Sequence, residues 1–333
     1  MRSRRLFFGV LALCLAFGGC SEGKQSAPTQ TGAGGKKKLR IAVIPKGTTH
    51  DFWKSVHFGA QQAAKELGNI EIIWNGPDKE TDKEGQIKIV DTFVGERVDG
   101  ICLAPIDRDA LVTPVRRSKQ RGIPVVVFDS ALSDLKDAVS YVATDNYHGG
   151  VMGAEFLTKL LDGKGGVIML RYQAGSESTE QREQGFLDTL KQSEGIKVLS
   201  ENQRVNSDAV EALKVGETLL RNFKGEVTGV FTVCEPNNKG MLQSLENEQL
   251  AGKVRFVAFD SDPRILKGLK DKTVDGVILQ NPVQMGYLAV KTLVAHLNGE
   301  KVEARIPTGE VLATQENLDN PDVRELLEPG QAQ

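Results

Sequence analysis

The sequence predicts an α/β protein built as two doubly wound, mostly parallel lobes, and three observations carry that prediction. Short β-rich runs alternate with longer helical ones from Leu39 onward, and this alternation runs through the chain twice. The two series also share an echo: Val127-Phe128-Asp129-Ser130 ends a strand in the first, and Ala258-Phe259-Asp260-Ser261 ends one in the second. Strand–helix alternation at this rhythm calls for right-handed βαβ crossovers and parallel sheets. A length of 333 residues is enough for two domains that each bury a core.

Taken in order, the first series offers strands at Leu39–Ile44, Ile70–Trp74, Gly100–Ala104 and Pro124–Asp129. Between them the pattern turns helical at Asp51–Leu67, Thr81–Val94 and Asp109–Arg121; in the middle one Ile87, Val90 and Val94 share a face. The second series offers strands at Gly166–Leu170, Lys197–Glu201, Thr228–Val233, Arg255–Asp260 and Val274–Gln280. Its helices fit at Tyr147–Leu161, Thr179–Gln192, Asp208–Asn222, Asn238–Glu248 and Gln284–Leu297. The boundary falls near Ala143–Tyr147 without a Pro/Gly-rich linker, which suits a hinge better than a swinging tether.

The front of the chain has another character. Arg2, Arg4 and Arg5 precede an apolar run from Leu6 to Phe17, then Gly18, Gly19 and Cys20, the pattern of a secretory signal. The run is shorter than the about 20 apolar residues of a spanning helix. Phe17-Gly18-Gly19-Cys20 resembles the bacterial lipobox, which implies cleavage before Cys20 and acylation of its thiol. Residues 1–19 are thus expected to be a lipoprotein signal peptide and residues 20–38 a flexible tether. The expected location is extracytoplasmic, with the membrane held through lipid on Cys20.

Charge and motifs exclude several classes. The 42 Lys and Arg against 44 Asp and Glu form no basic stripe, so no nucleic acid is expected as a partner. There is no G-x-x-x-x-G-K-[ST] loop, nucleophile elbow or H-E-x-x-H. The four histidines lack metal spacing, so neither a metal nor a cofactor is expected, nor an enzyme. Cys102 and Cys234 read as free buried thiols of different halves. In open α/β sheets ligands bind beyond the carboxyl ends of the strands, which would place Asp129 and Asp260 on opposite walls of one cleft.

Several motifs together resemble the periplasmic sugar-binding proteins of ABC importers, the ribose-binding group in particular. They are Asp51-Phe52-Trp53 with Gly59-Ala60, Gly122-Ile123-Pro124 leading to Asp129, Asp145-Asn146 with Gly149-Gly150, Arg182-x-x-Gly185-Phe186, Phe259-Asp260 and Gln280-Asn281-Pro282. The resemblance implies the type I periplasmic-binding-protein fold, two lobes joined by a three-crossing hinge with a ligand cleft between them. It assigns residues 39–143 and 282–309 to lobe 1, residues 144–281 and 310–318 to lobe 2, and residues 319–333 to a C-terminal tail.

The same resemblance carries over ligand contacts. Phe52 and Trp53 match the aromatic pair that packs on a sugar ring, with Trp53 expected to be the more accessible. Asp129 and Asp260 match acids that accept from neighbouring hydroxyls, Arg182 an arginine donating to sugar oxygens or else a structural ion-pair partner, and Gln280 a hinge-side amide. His50 and Glu235 depart from the ribose pattern, as do Ala104, Ser130 and Ser207, and these changes make the expected pocket more acidic. The implied function is capture of a small sugar-like ligand (a pentose, hexose or polyol) by hinge closure and delivery to an ABC permease with its ATPase, by a monomer. The alternatives are a sensing subunit for a chemoreceptor or sensor kinase, and an amino-sugar or nucleoside ligand.

Overall fold

Strands that are apolar at consecutive positions need cover on both faces, and the chain supplies it twice. In the computed structural model, which describes residues 38–327, Ile41 and Val43 of β1 (Leu39–Ile44) join one buried cluster while Ala42 and Ile44 join another. The elements that follow are α1 (Asp51–Leu67), β2 (Ile70–Trp74), α2 (Lys83–Glu96), β3 (Gly100–Leu103), α3 (Val112–Gln120), β4 (Val125–Phe128) and β5 (Ser140–Ala143). Then come α4 (Asn146–Leu160), β6 (Gly165–Leu170), α5 (Glu177–Leu190), β7 (Ile196–Ser200), α6 (Ala209–Asn222), β8 (Val227–Thr232), α7 (Glu235–Asn247) and β9 (Arg255–Phe259). The series closes with α8 (Pro263–Lys270), β10 (Gly276–Gln280), α9 (Pro282–Leu297), β11 (Arg305–Pro307), β12 (Glu310–Thr314) and α10 (Pro321–Leu327).

Two six-stranded sheets result, ordered β11-β5-β4-β3-β1-β2 and β12-β10-β9-β8-β6-β7. Every pairing is parallel except β10 with β12. The chain passes between the sheets at residues 144–145, 281 and 308–309, so α9 and β11 return to the first lobe and β12 to the second. The two-lobed α/β architecture with three crossings is the one expected from the sequence.

Helix pairs in the two lobes pack alike. A Cβ on Gly59 of α1 would stand 1.9 Å from the Val283 carbonyl oxygen, and one on Gly286 of α9 would stand 2.0 Å from that of Val56. In the second lobe a Cβ on Gly150 or Gly185 would come within 2.1 Å of the carbonyl oxygen of Arg182 or Tyr147 respectively. Only a missing side chain lets α1 meet α9, and α4 meet α5, at backbone distance.

Some expectations shift. The helix expected from Thr81 starts at Lys83, because the Asp82 carboxylate accepts from Gly85 N–H and caps it. That expected from Asp109 starts at Val112, since Asp107 Oδ1 already takes the N–H groups of Asp109 and Ala110 in a local turn. The strand at β5 and the helix α8 were not anticipated, although Asp262-Pro263 is a helix-start signal. The segment expected as a tail contains α10, whose Val323 and Leu327 are buried in the second lobe's core, so it is part of that lobe. Cys20, the signal peptide and the tether up to residue 37 lie outside the described residues, as do residues 328–333.

Candidate functional site

Parallel sheets leave the carboxyl ends of their strands open, and here the two open edges face each other. From the first lobe come Lys46 just past β1, His50, Phe52 and Trp53 at the start of α1, Glu80 after β2 and Asp129 at the end of β4. From the second come Tyr172 past β6, Ser176, Ser178, Thr179 and Arg182 at the start of α5, Cys234 and Glu235 past β8, Asp260 at the end of β9 and Gln280 at the end of β10. They line one cavity with about 370 Å³ of atom-free space counted to its mouth, of which about 40 Å³ admits the centre of a water molecule. All eight cleft residues expected from the sequence, from His50 to Gln280, meet there.

Asp129 and Asp260 are held alike. Both have left-handed backbone, φ 63° and 74°, which is costly for a side chain with a Cβ and recurs at sites that must aim a group. Each backbone N–H donates to the neighbouring strand, Asp129 to Val142 O at 3.0 Å and Asp260 to Ile278 O at 2.9 Å.

Each acid in the cavity carries a basic partner, which corrects the expectation of an acidic pocket. Asp129 Oδ2 lies 2.7 Å from Lys46 Nζ, Asp260 Oδ2 3.6 Å from Arg182 Nη1, Glu235 Oε1 2.6 Å from Lys239 Nζ and Glu80 Oε1 2.7 Å from His50 Nδ1. An isolated buried carboxylate costs several kcal/mol, and these pairings offset that cost.

Burial pushes the Glu80 carboxyl up, but the hydrogen bond and charge of His50, the charge of Lys46 and a bond from Trp53 outweigh it and hold the group at about 2. His50 moves the other way: burial lowers it, yet bonding to Glu80 and the charges of Glu80 and Glu235 leave it raised. At Asp260 burial dominates the opposing pull of Arg182 and Gln280, and the carboxyl sits at about 6.

One expectation is overturned, that Trp53 is the more accessible ring. Trp53 is buried, and its indole N–H donates to Glu80 at 2.7 Å; Phe52, set edge-on against it at 4.9 Å, is the more exposed ring. Arg182 fits the structural alternative, donating through Nε to Asn146 Oδ1 and through Nη1 to Val233 O at 2.9 Å each and stacking 3.9 Å above the Phe259 ring. Gln280 donates to Asp260 Oδ1 at 2.6 Å and accepts from the Thr144 hydroxyl at 2.9 Å, fixing the acid from the hinge.

Bonds also run directly from lobe to lobe. Tyr172 donates its hydroxyl to Glu80 Oε2 at 2.7 Å, Glu235 accepts from the N–H groups of Asp51 and Phe52, and Ala131 N–H donates to Glu177. The lobes are therefore closed on each other. Lys46, Glu80 and Tyr172 escaped the sequence reading, although all three lie just past the carboxyl end of a strand, the rule that located Asp129 and Asp260.

Cys102 and Cys234 are free and buried. No helix among the described residues is long and apolar enough to cross a membrane, and none of their acid, His and Cys groups forms a metal-ligating cluster.

Residues 41–301 match the model of the periplasmic binding protein domain. The ribose import binding protein of Bacillus subtilis is 30% identical over 285 residues, 85% of this chain and 90% of that relative. A solved carbohydrate transporter solute binding protein from Agrobacterium radiobacter, in complex with D-arabinose, superimposes with a TM-score of 0.84 at 32% identity, covering 88% of this chain and 100% of its own. A second, from Agrobacterium vitis with bound D-fucose, gives 0.82 at 32% identity over 87% and 100%. Two lobes whose strand ends converge on one polar cavity, together with these matches, make the chain a member of the periplasmic binding protein family.

Proposed function

We propose that this protein is an extracytoplasmic solute-binding lipoprotein that captures a small neutral sugar, a pentose, hexose or polyol, and presents it to an ABC import permease. One observation carries the choice of ligand: the cavity is lined by carboxylates whose charge a neighbouring base already balances. A neutral hydroxyl can donate to such a carboxylate and leave the balance intact, whereas an ammonium or a carboxylate would bring in an uncompensated charge. The sugars named for the similar structures support this class, and the half-buried ring of Phe52 suits the C–H face of a sugar.

Capture proceeds by closure. Open lobes expose both walls, and a guest bonding Asp129 on one side and Asp260 on the other favours the closed state through contacts made only there. Acylation of Cys20 would hold the protein at the membrane beside its permease. Calorimetry against D-arabinose, D-ribose, D-allose, D-fucose and myo-inositol tests the ligand class: binding of at least one is expected, and binding of acidic solutes alone would overturn it. Cys20→Ala is expected to release the protein into the soluble extracytoplasmic fraction; continued fractionation with membranes would remove the anchor.

A further inference from the structure

Lys46 lines the cleft beside Asp129. It leaves the carboxyl end of β1 with 3% of its surface exposed, and its ammonium meets oxygens from both lobes. Ser130 Oγ lies at 2.6 Å on its own lobe, and Ser178 Oγ and Ser176 Oγ lie at 3.1 Å and 3.3 Å on the other. An ammonium has three N–H groups, and these hydroxyls share them with the Asp129 carboxylate.

Asp129 Oδ2 sits 2.7 Å from the same nitrogen, an ion pair at hydrogen-bond distance. The carboxylate is thus neutralised in charge while acceptor positions remain, because its two oxygens offer about four lone-pair sites. An incoming hydroxyl can fill one of them without disturbing the charge balance. An incoming ammonium would meet Asp129 and the fixed positive charge of Lys46 together, with Arg182 also on the cavity wall.

We propose that Lys46 is the specificity-determining residue of the cleft: it neutralises Asp129 so that this acid accepts from hydroxyl-bearing neutral guests and turns away their ammonium-bearing counterparts. The inference rests on the reading of the cleft as a sugar site and adds a residue and a selection rule to it. Without Lys46, Asp129 becomes a buried carboxylate in want of a cation, and an amino sugar would supply one.

The test uses matched pairs that differ only in one group, D-glucose with D-glucosamine and D-galactose with D-galactosamine, titrated calorimetrically at neutral pH into the mature protein and its Lys46→Met and Lys46→Arg variants. The wild type and Lys46→Arg are expected to prefer the neutral member. In Lys46→Met the ratio of neutral to amino affinity is expected to move by about tenfold or more toward the amine. A ratio unchanged in Lys46→Met, with measurable binding, overturns the proposal and leaves the sugar site standing. Absence of binding by every protein to every member and to the five solutes above overturns the sugar site and the proposal with it. Should Lys46→Met lose its cooperative melt, Lys46→Gln, which keeps a polar end without charge, takes its place.

Discussion

Asp129 and Asp260 occupy equivalent places in the two lobes, each one residue past a central strand, each with left-handed backbone and each tied by its N–H to the next strand. Their surroundings part ways beyond that point. Asp129 faces a lysine sent from β1 of its own lobe, whose ammonium also reaches three serines. Asp260 faces an arginine locked by Asn146, Val233 and the Phe259 ring, and an amide from the hinge. The lesson is that a repeated backbone sets where a charged group points, while the helices and loops added around it decide which partners that group meets.

The largest effect is expected where burial is deepest. Arg182→Met should cost about 3–5 kcal/mol in urea unfolding, because it strands the buried Asp260 carboxylate and leaves Val233 O without its donor. A loss below about 1 kcal/mol would show that the arginine is not the anchor of the second wall.

Glu80 probes the first wall. Its carboxyl falls from 4.5 to about 2, so it adds stability that is complete above pH 4.5 and is lost as pH drops toward 2. Glu80→Gln should therefore destabilise the protein by about 2–3 kcal/mol at neutral pH, with the two stability curves converging in acid. Parallel curves at all pH values would mean that His50, Trp53 and Tyr172 do not depend on its charge.

The acids themselves sharpen the comparison. With Asp260 at about 6, a guest that donates to its carboxylate must displace a proton at lower pH. Affinity should then be level above that point and fall by up to about tenfold per pH unit below it. Asp260→Asn should flatten this limb and Asp129→Asn should keep it. The opposite result, read by calorimetry across pH, would exchange the roles of the two walls.

The smallest effect belongs to the rim. Lys239, a third exposed, pairs at 2.6 Å with the buried Glu235, which also accepts from the Asp51 and Phe52 N–H groups, so Lys239→Met should cost only about 1–2 kcal/mol in the same unfolding measurement. A cost matching that of Arg182→Met would show that those two N–H groups do not hold the carboxylate once its cation is gone.

Legibility in the sequence followed distance along the chain. Alternating runs such as Leu39–Ile44 and Gly166–Leu170 announce buried strands because their periodicity is local, and the two Phe-Asp endings point to strand ends without any tertiary information. The eight expected cleft residues owe their selection to those endings and to a family resemblance, and one cavity brings them together. The paired state of the acids was not legible. Lys46 stands 83 positions before Asp129, and Glu80 is 92 positions from Tyr172, so nothing local links them.

By itself the sequence determined most strands and helices, the duplicated plan and the placement of two acids at strand ends, since each rests on patterns a few residues long. Only the tertiary structure decided that the cleft is balanced in charge, that Trp53 is buried while Phe52 is the more exposed, and that the helix Pro321–Leu327 belongs to a core. Charge pairing and burial depend on which distant groups come within a few ångströms, and that is settled when the two sheets fold and close on one another.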